Sequence, residues 1–101
     1  MVGGRTKVRP ARVQLSRHKG WRMPDNTVKV DRSTRFGNPF HLGKDGDRAE
    51  IVRRFRDYLA RPEQAAHRAD IKATLRGKNL ACWCPLDGPC HADVLLEVAN
   101  A

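Results

Sequence analysis

The sequence predicts one small α/β domain with a short, mainly parallel sheet flanked by helices. Three observations carry that expectation. Short apolar or alternating runs and 3.6-periodic segments occur in the order strand, strand, helix, helix, strand, helix. A chain of 101 residues suffices for one modest core. The stretch between the second and last strands has room for a right-handed crossover through the helical pair.

Taken in order, the first dozen residues hold Gly3, Gly4, Pro10 and the basic Arg5, Lys7, Arg9 and Arg12, with little periodicity. Residues 1–11 therefore read as a flexible basic arm before a domain over residues 12–101. Val13-Gln14-Leu15-Ser16 alternates like a strand. A loop over residues 17–22 follows, in which Trp21 lies among Arg17, Lys19 and Arg22. Such a Trp can stack a base while the cations hold phosphate, or fold back over the core edge. Pro24-Asp25-Asn26 is turn chemistry, and Val28-Lys29-Val30 is a second strand.

The loop over residues 31–40 is rich in ligand-type groups. Arg32 and Arg35 are forked donors suited to phosphate or carboxylate. Ser33 and Thr34 bring hydroxyls, and Gly37 allows close backbone approach. Pro39 holds Asn38 extended, while Phe36 and Phe40 anchor the loop in the core. After a polar connector, Asp47 can cap a helix with Ile51, Val52, Phe55, Tyr58 and Leu59 on one face. Pro62 suits the first turn of a second helix that carries Ala65, Ala66, Ala69, Ile71 and Leu75. Arg76-Gly77-Lys78 ends it. Residues 79–84 form the most apolar strand, expected in the sheet interior. Asp87-Gly88-Pro89 turns the chain, with Asp87 or Gly88 as cap and Pro89 at the first helical position of a last helix to about Ala99. If the strands are parallel, the three loops that follow them share one edge, where ligands of such sheets bind.

Composition narrows the function classes. The net charge is +9, carried by residues 1–78; residues 79–101 contain three acids and no Lys or Arg. A phosphate-rich partner, a nucleotide or nucleic acid, is the natural match. No apolar run approaches the ~20 residues of a membrane span, so no membrane partner is expected. No apolar signal segment follows Met1, and the odd cysteine count suits a reducing cytoplasm.

The three cysteines allow three chemistries. Cys82, Cys84, Cys90 and His91 have the donor types of a Cys3His zinc site. Their spacing is unusual, because Cys82 and Cys84 reach one ion only if the strand bends. Alternatively, Cys90 in the first helical turn is a thiolate lowered in pKa by free amides and the helix dipole, with His91 or His41 as base. The third reading makes Cys82 and Cys84 small core residues, with Cys90 and His91 capping a helix.

The run Thr34-Arg35-Phe36-Gly37-Asn38-Pro39-Phe40, the strand Leu80-Ala81-Cys82-Trp83-Cys84 and the helix start Pro89-Cys90-His91-Ala92-Asp93-Val94-Leu95 together resemble the family called domain of unknown function 4326. Its members are small phage and bacterial proteins. The resemblance covers about residues 12–100 and implies that Arg35, Gly37, Asn38, Pro39, Cys82, Cys84, Cys90, His91 and Asp93 form a characteristic edge. A looser likeness to other bacterial families implies a Rossmann-like fold. Neither implies a catalytic assignment.

The resulting expectation is a Rossmann-like, phage-type domain in the bacterial cytoplasm that binds a nucleotide or nucleic-acid end and, if it is an enzyme, processes it. Arg17, Arg32 and Arg35 would take phosphate, Gly37 and Asn38 would meet the base or sugar, and Trp21 would stack. Cys90, His91 and Asp93 would carry any chemistry. The alternative is a non-enzymatic, zinc-stabilised module that binds nucleic acid or a host protein.

Overall fold

A computed structural model describes residues 10–101. Most of the expected basic arm, residues 1–9, lies outside the described residues. The fold is a three-stranded parallel sheet with three α-helices. Its elements are β1 (Arg12–Gln14), β2 (Thr27–Lys29), α1 (Arg48–Leu59), α2 (Ala65–Leu75), β3 (Asn79–Cys82) and α3 (His91–Ala99). A single 3-10 turn, Pro62–Gln64, precedes α2.

Strand β3 lies between β1 and β2, parallel to both. This follows from its composition: Leu80, Ala81 and Cys82 are all buried, as only a central strand allows. The outer strands alternate more and are shorter than their apolar runs. Beyond them, Leu15 N–H still donates to the Cys82 carbonyl at 2.7 Å, and Val30 N–H to the Ala81 carbonyl at 2.8 Å. Strand β3 ends at Cys82, not Cys84, because the chain bends at Trp83 and Cys84.

Helix α1 forms where its period requires. The Asp47 side chain accepts from the Glu50 amide at 2.8 Å, and Ile51, Val52, Phe55 and Leu59 are buried. In α2 only Ile71 and Leu75 are buried; Ala65, Ala66 and Ala69 face solvent. Alanine favours helix without demanding burial, so its spacing misleads about the packed face. Helix α3 packs on α1, α2 and β3 and closes the core around Leu80, Phe55 and Leu95.

The start of α3 differs from expectation. The cap is Cys90, and Pro89 precedes it. The Ala92 amide donates to the Cys90 sulfur at 3.5 Å, and the Asp93 carboxylate accepts from the Cys90 amide at 3.2 Å. This is a capping box with sulfur in place of a hydroxyl. No described helix is long and apolar enough to cross a membrane.

Candidate functional site

Parallel pairing brings the carboxyl ends of all three strands to one edge. There the segments after β2 and β3 and the start of α1 enclose a cleft of about 330 Å³. Its floor is Cys82, Cys84, Cys90 and His91; Asp31, Ser33 and Trp83 form one wall, and Arg48 and Leu42 another.

The three sulfurs come from a strand end, a bend and a helix cap, yet lie within 4.8 Å of one another. Cys82 and Cys90 sulfurs are 2.9 Å apart, and all three cysteines are free. The hydrogen shared with Cys82, together with burial, pushes the Cys90 thiol up to about 11. The same contact lowers the Cys82 thiol, while burial raises that of Cys84. Either sulfur of the Cys82–Cys90 pair can donate the shared hydrogen, so the proton belongs to the pair. The expected amide donation to Cys90 does exist, but it is outweighed.

His91 is buried and its Nε2 lies 2.6 Å from the Val30 carbonyl. A carbonyl only accepts, so Nε2 carries the hydrogen and Nδ1 presents a lone pair. That Nδ1 is 3.6 Å from the Cys90 sulfur. The Phe55 ring meets the imidazole edge-on, with centroids 5.8 Å apart.

The wall is built as firmly. Asp31 is buried and accepts from the Ser33 amide at 3.1 Å, the Ser33 hydroxyl at 2.5 Å and the Trp83 indole at 2.9 Å. Burial pushes its carboxyl up, but these hydrogen bonds and Lys29 outweigh that, and the net shift is downward. Arg17 lies over the Trp83 ring, 4.3 Å from its centroid.

A family model described as a domain of unknown function, DUF4326, matches residues 13–101. The chain belongs to the DUF4326 family. No curated protein and no solved structure matches it.

In this DUF4326 domain the Gly-Asn-Pro-Phe loop is an architectural brace. The Asn38 amide donates to the Ile51 carbonyl at 3.1 Å, and its oxygen accepts from the Phe40 amide at 2.9 Å. Arg32 donates to the Asn38 carbonyl and, at 2.7 Å, to the Phe40 carbonyl. A Cβ on Gly37 would sit 2.7 Å from the Arg32 Cα, so the loop closes only on glycine. Asn38→Ala is expected to cost about 2–4 kcal/mol in urea denaturation, since a buried carbonyl and a partly buried amide lose their bonds. A cost below about 1 kcal/mol would argue that Asn38 is held for a ligand instead.

Arg35 points away from the cleft. It forms a two-pronged pair with Asp70, at 2.7 and 3.1 Å, and lies over the Phe36 ring. Asp93 is also turned away: besides its capping bond it pairs with Arg12 at 3.3 Å. Trp21 is exposed and does not line the cleft. Of the expected ligand residues, Arg32 and Asn38 line the cleft, and Arg17 reaches it through Trp83. Three residues emerge that the sequence reading did not assign to the site: Asp31, Trp83 and Arg48. Arg48 follows the Asp47 cap, and a cation in a first helical turn opposes the helix dipole, which was the available signal.

Proposed function

We propose that this DUF4326 domain is a cytoplasmic, Rossmann-like binding domain whose cleft takes a nucleotide or the phosphate-bearing end of a nucleic acid. The observation that carries the reading is the cleft at the carboxyl edge of a parallel sheet, walled by an aromatic ring and a guanidinium. Trp83 offers a stacking face, held by its bond to Asp31 and backed by Arg17. Arg48 is half-buried in the cleft and makes no side-chain hydrogen bond among the described residues, so its donors are free for phosphate. Arg32 and Arg35 are committed to carbonyls and to Asp70, which moves the phosphate role from them to Arg48.

Binding rather than catalysis fits these residues. Cys90 and Asp93 both serve the helix cap, Cys90 through its sulfur and Asp93 through its carboxylate. Titration of tryptophan fluorescence with nucleoside mono- and diphosphates, inorganic phosphate and short single-stranded oligonucleotides tests the reading. Arg48→Ala is expected to weaken the saturating ligand roughly ten- to hundredfold, the worth of one or two charge-assisted hydrogen bonds. Saturation by none of these ligands, or unchanged affinity in Arg48→Ala, overturns it.

A further inference from the structure

We infer that Cys82, Cys84 and Cys90 hold one thiophilic divalent cation of the zinc class at the floor of the cleft. The inference stands on the sulfur cluster and is independent of what the cleft binds above it.

Packing alone does not explain the cluster. Small apolar side chains fill space from any direction, whereas here three separate backbone positions aim their sulfurs at one point, all within 4.8 Å. The bend at Trp83 and Cys84 is what allows it. An uninterrupted strand would keep the Cys82 and Cys84 alpha carbons roughly 6.5–7 Å apart with parallel side chains. Cys84, only partly buried, closes the cluster on the cleft side.

His91 stands beside one of the three sulfurs but outside the group whose ligand atoms all lie within 4.8 Å of one another, so its ring would have to move to become a fourth donor. With bond lengths of about 2.3 Å to sulfur and 2.05 Å to nitrogen, a tetrahedral centre separates sulfur from nitrogen by about 3.6 Å. The Cys90 sulfur and His91 Nδ1 are 3.6 Å apart. Sulfurs around the same ion stand about 3.8 Å apart, so Cys82 and Cys90, now at 2.9 Å, would open by under an ångström. The Val30 carbonyl on Nε2 fixes the tautomer that leaves Nδ1 free.

Charge is met as well. Binding releases one proton from each of three thiols, and three thiolates with a dication carry one net negative charge. Arg48 lines the same cleft.

The test uses the full chain purified under reducing conditions without chelator. Expected are one zinc per chain, three thiols shielded from a maleimide, and their exposure on adding chelator. Cobalt(II) added to the stripped protein should give a thiolate-to-metal charge-transfer band that saturates at one equivalent. Cys84→Ser, at the most accessible of the three, should weaken cobalt binding by at least about tenfold. If that variant does not fold, the cobalt titration and thiol count of the parent chain decide alone. No charge-transfer band, unchanged binding in Cys84→Ser, or a Cys82–Cys90 disulfide in protein alkylated at lysis would overturn the inference. Loss of nucleotide binding with the metal results intact would count against the proposed ligand only.

Discussion

Phe55→Ala is expected to remove about 3–5 kcal/mol of stability, the range for deleting a buried aromatic ring. A domain of this size has only about 5–15 kcal/mol in total, so the variant should lie near the edge of folding. Phe55 is 1% exposed in the centre of the core. It stacks beside Tyr58, with centroids 6.4 Å apart, and meets His91 edge-on. Its loss therefore removes core volume and one support of the imidazole above the thiols. Urea denaturation measures the first effect, and the His91 ring resonances in NMR report the second. Phe55→Leu, which keeps most of the volume, should recover more than half of the stability. A cost below about 1 kcal/mol for the alanine variant would mean that the ring does not hold the core together.

Arg12→Ala should cost about 3 kcal/mol or more, although it replaces a strand residue near the start of the described chain. The Arg12 side chain is 8% exposed. Its Nη2 donates to the carbonyls of Leu86 at 2.7 Å, Gly88 at 2.8 Å and Pro85 at 3.3 Å, while Nε faces Asp93. One guanidinium thus ties β1 to the turn that delivers Cys90. Hydrogen bonds from charged donors are worth about 1.5–3 kcal/mol each, and the Gly88 carbonyl left behind stays partly buried. Lysine offers one point of charge where the fork spans several acceptors, so Arg12→Lys should restore little. Denaturant midpoints give the stability, and hydrogen exchange at Gly88 and Cys90 gives the local effect. An unchanged exchange rate at both amides would show that the turn holds itself.

Much of the fold could be read from local pattern. The α1 face of Ile51, Val52, Phe55 and Leu59, its Asp47 cap and the interior character of β3 each rest on residues a few positions apart. The convergence of three loops on one edge followed once parallel strands were assumed, and the sheet is parallel throughout. The cluster of three cysteines was also visible, including the need for a bend between Cys82 and Cys84. The apparent ligand loop was harder. Arg32, Arg35 and Asn38 have the chemistry of ligand binding, and the same chemistry satisfies carbonyls and carboxylates inside the protein.

Residue types and their spacing were thus enough to establish the α/β class, the helix faces and the residues capable of chemistry. Tertiary contacts settled which of those residues remain free to do it. Arg35 meets Asp70, 35 positions away, and Arg12 meets Leu86, 74 positions away. Helix and strand preferences act over one or two turns and leave a trace in the sequence. A polar side chain's partner depends on the path of the whole backbone, so Arg32 and Arg35 became braces while Arg48 and Trp83 came to line the cleft.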